Sequence, residues 1–524
     1  VCLSLSAQSK VSGDSLAADF HYLVKQLEAT HPDPYTGFGG KVFFHKQAFD
    51  LENELRSKPH TLQEFWDKSM AFLSFIQDGH TYLFSLAPKQ RQEQSYLPVG
   101  FRCIPDGLIV QSLPAAHQDL LGSLLTGING KSMDELLVRT ASLFACENLY
   151  NRYSVFCRNV ARKQFMQQLL PDLEDTVCLN LRTPDGKEMT LEQHFMDNED
   201  LRKAEKASLP SWEGCPEEQM AYRFIDKKKE VMMFKVNSIM ARDNFEYMYK
   251  YMKGDLFRQM EFYYQNALRK EMPADTLQAI HALPSFSGTF ATMLKEMKKN
   301  RSEYLIIDLR GNSGGWTPIV LATLYQLYGD KYLQEDMDTE YYRIVSPLYM
   351  NKLEVTLEEF NKRYGTDYNF GDYTFSMEEQ EDVPLDTLRR QFIDDCMSSV
   401  KEELRAQKGA PVYTPKQVFV VTDERTFSAA FHYSFMLWKM GATVVGVPSG
   451  QAPNTFMEQT LFKLPYTGIE GSISNSVQIF LPGKDKRAKT FWPDVMLTYD
   501  EYKQTGFDKQ AEILFLLNKI GQEK

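Results

Sequence analysis

Apolar positions recur along this chain at two spacings, and the changeover points divide it. From about 14 to 77 the period is helical. Leu16, Phe20, Leu23, Val24 and Leu27 share one face, and 62–76 forms a second amphipathic stretch opened by Thr61 as N-cap. Between them, His31-Pro-Asp-Pro-Tyr-Thr-Gly is a loop, in which His31 reads as a packing residue. From about 96 the runs shorten to strands: Tyr96-Leu-Pro-Val-Gly-Phe-Arg, Gly107-Leu-Ile-Val-Gln-Ser and the stretch 122–131. The last is closed by Asn129-Gly130, and a helix is predicted from Ser132. Residues 177–191 predict a hairpin around Pro184-Asp-Gly, and the charged stretch 197–218 predicts a linker.

Beyond the linker, strands alternate with helices. Predicted strands are 230–237, Leu305-Ile-Ile-Asp-Leu, Val418-Phe-Val-Val-Thr and Thr443-Val-Val-Gly-Val. Predicted helices are 287–299, Pro318–Tyr328 and 429–440. Unbroken β-branched runs in such an alternation predict an α/β core with buried, largely parallel strands. Two insertions interrupt it: 248–282, aromatic and basic, and 337–410, acidic and partly helical, with a charge run from Met377. The expected domains are thus 1–90 (helical), 91–200 (β-rich) and 201–524 (α/β core).

Composition narrows the functional classes. A chain of 524 residues with 43% hydrophobic and 25% charged residues has ample core material for several domains. A net charge of −11 and the lack of a basic run argue against nucleic-acid binding. No stretch reaches the roughly 20 apolar residues of a membrane span. Residues 1–8, Val-Cys-Leu-Ser-Leu-Ser-Ala-Gln, are expected to be the end of a signal peptide with a small-residue cleavage site near Ala7, hence an exported protein. Seven scattered cysteines without CxxC spacing imply neither a zinc framework nor a dense disulfide scaffold.

Three segments carry candidate chemistry. In Val418-Phe-Val-Val-Thr-Asp-Glu-Arg-Thr-Phe-Ser428-Ala-Ala a buried strand runs through a turn into a helix that begins at a serine. The helix start supplies free N–H groups and a positive dipole end to a nucleophile placed there, although serine is also a common N-cap. In Asp308-Leu-Arg-Gly-Asn-Ser-Gly-Gly315 a strand enters a glycine-rich loop that lacks the GK[ST] of a P-loop and the GxGxxG of a dinucleotide site. Asp78-Gly-His-Thr81 offers a histidine.

The order DGHT, ING, IIDLRGNSGG, TFSAA and GVPSGQAPN resembles the serine peptidase family of C-terminal processing proteases, tricorn and interphotoreceptor retinoid-binding protein, from about residue 15 to about 515. The resemblance implies a crotonase/ClpP-like α/β core, with an N-terminal helical domain and a β-rich module similar to a PDZ domain. Such a module accepts a peptide as an added strand, the alternative being a β-rich domain without a binding role. It implies a peptide or protein substrate and no cofactor or metal. Ser428 falls on the nucleophile of the Ser-Ala-[Ser/Ala]-Glu motif, with Phe431 in place of its glutamate. The amide of Ala429 and that of Gly314 or Gly315 fall on the oxyanion donors.

Where processing proteases carry a lysine, Gly446-Val-Pro-Ser-Gly-Gln-Ala-Pro-Asn454 has none, so the turn is similar to the tricorn and retinoid-binding branch, which implies a histidine base. His80 is that candidate, with His432 and Lys463 as competitors. Glu458 is the candidate orienting acid. Asp78 is expected to structure its turn, and Asp308 with Arg310 to hold the loop. The readings are a serine peptidase and, alternatively, an inactive binding or carrier protein of the same fold. A crotonase-type acyl-CoA enzyme is disfavoured by the strand-to-helix serine.

Overall fold

The computed structural model describes residues 10–86, 95–337, 339–375 and 383–522. The expected signal-peptide remnant, the boundary near 90 and the charge run from Met377 lie outside the described residues.

The N-terminal segment folds into helices Gly13–Thr30, Lys41–Ser57 and Leu62–Ser74. Thr61 caps the third as expected, its side chain accepting from the Glu64 amide while Glu64 reaches back to the cap. Leu16, Phe20, Leu23 and Leu27 are fully buried between these helices. The β-rich module is an antiparallel sheet containing Gly100–Ile104, Gly107–Pro114, Leu124–Ile128, Thr176–Arg182 and Glu188–His194. Asn129 and Gly130 both take positive φ (48° and 74°), the geometry of a tight hairpin turn. Ser132 then caps the helix Met133–Leu143.

The expected linker is instead partly structured. Asp197 caps a helix, Asn198–Lys203, with its own carboxylate, and Lys206–Ser208 adds a strand beside Gly107–Pro114. Its charges read as solvated coil, but here they cap and flank short elements.

The core sheet runs in the order Met220–Phe224, Val231–Val236, Tyr304–Asp308, Gln417–Thr422, Thr443–Gly446. The first strand is antiparallel and the rest are parallel, with Val231 opposite Tyr304 and Tyr304 opposite Gln417. Alternate residues enter two different cores, which is why the runs are apolar without a break. Met232, Phe234, Leu305, Ile307, Val418 and Val420 pack with the helices Phe286–Asn300, Pro318–Tyr328 and Ala429–Lys439. Val231, Met233, Tyr304, Ile306, Phe419 and Val421 face the C-terminal helix Ala511–Gln522 and the module's Ile104 and Ile109.

Two tertiary ties position the site. The hairpin Thr455–Lys463/Glu470–Ile479 also pairs with Tyr82–Leu83, fastening the DGHT loop to the α/β half. Glu512 of the C-terminal helix accepts bonds from Arg102 of the module (2.7 Å) and Arg310 of the glycine-rich loop (2.7 Å). Breaking this buried network by removing one partner would leave a charge uncompensated.

Candidate active site

Parallel strands end on one side of the sheet, and there Tyr304–Asp308 and Gln417–Thr422 deliver their loops. Asp423 laces the two together. Its carboxylate accepts the Gly311 amide at 2.8 and 2.9 Å and the Arg425 and Thr426 amides at 3.0 Å each. Phe427 N–H donates to the Asn312 carbonyl (3.0 Å). Arg310 is paired with Asp308 (2.8 Å), as expected for a loop-holding pair.

Ser428 opens the helix Ala429–Lys439 with φ 52° and ψ −127°, and its side chain makes no capping bond. Such a conformation costs a residue with a Cβ about 1–3 kcal/mol and clusters at functional sites. The Ser428 N–H donates to Gln451 Oε1, and the hydroxyl forms no hydrogen bond among the described residues.

Gly314 lies against this turn. A Cβ there would stand 2.6 Å from Ser428 Cβ and 2.9 Å from the Ala429 nitrogen. Of the expected oxyanion donors, the Gly314 amide already donates to Asn312 Oδ1 (2.9 Å). The amides of Ala429 and Gly315 have no acceptor among the described residues. The glycine pair therefore divides its work: Gly314 gives close approach, and Gly315 with Ala429 offers free N–H groups.

His80 is buried on the DGHT turn. Ser472 Oγ donates to its carbonyl, and its ring lies 5.0 Å from that of Phe427, the residue before Ser428. Its Nδ1 has no hydrogen-bond partner among the described residues and lies 3.9 Å from both Asp78 Oδ1 and Glu147 Oε1. Burial lowers the His80 pKa against the opposing pull of the Asp78 charge and the Phe456 backbone. The structure thus brings His80 and the Ser428 turn together through Phe427, without a direct hydrogen bond.

The competing bases are otherwise engaged. His432 Nε2 faces Gln478 Oε1 (2.7 Å) and its Nδ1 faces Thr317 Oγ1 (2.9 Å), while burial drops its pKa to about 4. Gln478 Nε2 donates to the Pro453 carbonyl, so its Oε1 must accept from His432, whose Nδ1 then accepts from Thr317. Lys463 is exposed and sits 3.6 Å from Glu470.

The expected acid is not at the histidine. Glu458 takes φ 67° at an irregularity in its strand, and its carboxylate is held by Arg343 (2.5 Å) and Lys352 (3.5 Å). Among the described residues, the carboxylates within 4 Å of the His80 ring are Asp78 and Glu147. Asp78 structures the turn, accepting the His80 amide (2.8 Å) and the Thr81 hydroxyl. His31 adds a bond: its Nδ1 accepts the Asp33 amide (3.1 Å), leaving Nε2–H for Asp78 (3.3 Å). Burial would raise the Asp78 pKa, but the His31 bond and charge, the His80 charge and the Thr81 bond outweigh it and hold it at about 2.

Glu147 accepts the Gly79 and Ala452 amides (3.2 and 2.9 Å), yet burial and the neighbouring Asp78 push it up to about 8. Sequence reasoning missed Glu147 and Gln451, and it read His31 as a packing residue without its bond to Asp78. Only the polar Glu147-Asn148 ahead of an apolar helix hinted at the first.

The Glu147 shift has a measurable sign. Its folded pKa lies above the ordinary 4.5, so stability is lost as pH rises from about 4.5 to about 8, where the unfolded chain has ionised and the native site has not. Thermal melts should show Tm falling across that window in the wild type and a flatter profile in Glu147→Gln. Identical profiles would contradict this account of the cluster.

Residues 279–470 match the model of peptidase family S41, the family that the motifs resemble. Mature CPAF complexed with lactacystin shares the fold at 14% identity and TM-score 0.57, over 96% of this chain and 97% of that one. Mature CPAF alone gives 14% and 0.58 over 97% and 98%. The photosystem II D1 C-terminal processing protease matches at 10% and 0.39 over 93% and 94%. No curated protein matches the chain by sequence. No helix among the described residues is long and apolar enough to cross a membrane.

Proposed function

We propose that this protein is a serine peptidase that hydrolyses peptide bonds through an acyl-enzyme on Ser428. The observation that carries the reading is the Ser428 turn itself: a strained, uncapped serine at a strand-to-helix junction, with Gly314 packed on its Cβ and two unengaged amides beside it. Ser428 Oγ attacks the scissile carbonyl, and His80 takes the hydroxyl proton and later gives it to the leaving amine. The Ala429 and Gly315 N–H groups hold the oxyanion, and Gly314 permits the approach. Substrate binding closes the gap between imidazole and hydroxyl, since catalytic hydrogen bonds tighten in the complex. With its pKa lowered by burial, His80 is a neutral acceptor at physiological pH, and the acid limb of kcat/KM falls below the ordinary imidazole value of 6.5.

The orienting acid is Glu147, with Asp78 beside it, rather than Glu458. Glu147→Gln is expected to lower kcat tenfold or more, since the imidazolium formed during attack favours ionised Glu147 and is stabilised by that carboxylate, which an amide cannot supply. Glu458→Gln should leave kcat within about twofold, because it loses only a partly exposed ion pair. The reverse ranking in steady-state assays would return Glu458 to the site.

The β-rich module and an exported location complete the proposal. The outer strand Glu188–His194 pairs only with Thr176–Arg182 among the described residues, so it leaves an edge to which an extended peptide can add. One observation favours the second reading, a catalytically inactive peptide or apolar-ligand carrier: the Ser428 hydroxyl makes no bond to His80. Incubating wild type and Ser428→Ala with an unstructured protein and sequencing the fragments decides between them. Fragments from the wild type alone support the peptidase, and none from either supports the carrier.

A further inference from the structure

Among the described residues, Asp78, His80 and Glu147 form a buried group whose donor atoms lie within 4.8 Å of one another. We propose that this cluster is an inhibitory binding site for a divalent transition-metal cation of the zinc class, which takes His80 Nδ1 and the two carboxylates as ligands and switches the histidine off.

Three observations lead there. His80 is 6% exposed, and its Nδ1 is a buried polar atom with no hydrogen-bond partner among the described residues. An orphaned ring nitrogen in such surroundings is rare unless something occupies its lone pair. It stands 3.9 Å from Asp78 Oδ1 and 3.9 Å from Glu147 Oε1. Two donors each about 2.1 Å from one ion can be no more than about 4.2 Å apart, so both spacings admit a shared ion. The ligand atoms of the two carboxylates lie within 4.8 Å of each other, close to the same bound. One nitrogen and two carboxylate oxygens are the ligand types that zinc accepts, with a fourth position left for water.

The carboxylates are also held from behind, as ligating carboxylates are. The Gly79 and Ala452 amides donate to Glu147, at 3.2 and 2.9 Å. The Thr81 hydroxyl and His31 Nε2 donate to Asp78 Oδ2. Their orientation therefore does not depend on the imidazole.

Inhibition follows from the tautomer. An ion on Nδ1 leaves the ring proton on Nε2, which then donates and can no longer accept the serine proton. The effect on activity rests on His80 being the general base, whereas binding of the ion does not.

The test separates the two. Chelator-treated full-length Ser428→Ala, which keeps all three ligands, is titrated calorimetrically with zinc chloride. One ion per chain is expected to bind, with affinity reduced tenfold or more when Glu147→Gln or His80→Gln is added. Melts of each variant check folding, and the conservative Glu147→Gln decides if His80→Gln does not fold. In the wild type, zinc should suppress fluorophosphonate labelling of Ser428, and chelator should restore it. No stoichiometric binding, or binding unchanged in a folded variant, overturns the site. Specific binding to a wild type whose serine is never labelled would retain the ion site and remove the peptidase reading.

Discussion

Ser428→Ala is expected to abolish peptide hydrolysis and leave thermal stability within about 0.5 kcal/mol of the wild type. The stability half of this result separates a nucleophile from a cap. A capping hydroxyl would cost about 1 kcal/mol on removal, but Ser428 makes no capping bond and its hydroxyl has no partner among the described residues. Alanine keeps the Cβ and therefore the strain of φ 52°. Ser428→Gly removes that strain and should be more stable than the wild type by about 1 kcal/mol, while equally inactive. A chain that becomes more stable as it loses its reaction is holding its serine in place for that reaction. Unchanged hydrolysis in Ser428→Ala would end the assignment, and a marked loss of Tm would make Ser428 structural.

Gly314→Ala carries the second large effect. The new Cβ would meet Ser428 Cβ at 2.6 Å, the Phe427 carbonyl oxygen at 2.8 Å and the Ala429 nitrogen at 2.9 Å. None of these is the movable end of a long side chain, so the nucleophile turn itself must shift. The φ of 105° adds a backbone penalty for any L side chain. A fall in kcat of about 100-fold or more is expected, because shifting Ala429 misdirects an oxyanion donor. Stability should fall by about 3 kcal/mol from overpacking and backbone strain together. Gly311→Ala is the internal control. That glycine also has positive φ (75°), but nothing lies within 4 Å of its Cβ position. It should lose only about 1 kcal/mol and keep most of its activity. Equal losses in the two variants would mean that loop flexibility, not close approach to Ser428, is what Gly314 provides.

What the sequence showed and what it hid divide along physical lines. The parallel core was legible because each strand is buried on both faces: Leu305 and Ile307 enter one cluster, Tyr304 and Ile306 the other. The strand-to-helix serine and the glycine loop were legible because local backbone demands dictate residue type there. Glu147 was not. It sits in a short loop before the helix Leu149–Asn159, and its carboxylate is held beside His80 by the Gly79 and Ala452 amides, which are distant in sequence. Glu458 misled for the same reason in reverse. It follows the Pro453-Asn454 turn closely, but an irregular strand position turns its carboxylate to Arg343 and Lys352. The division of labour between Gly314 and Gly315 was equally hidden, since only the Asn312 side chain decides which amide is engaged.

The most direct test of the central claim is stoichiometric labelling with a fluorophosphonate, read by intact mass and peptide mapping. Such reagents modify serines that a neighbouring base has activated and spare ordinary hydroxyls. The wild type should take up one label per chain, at Ser428, and the rate should fall at least 100-fold in His80→Gln. A wild type that remains unlabelled, or a label that persists at full rate without His80, would contradict the account.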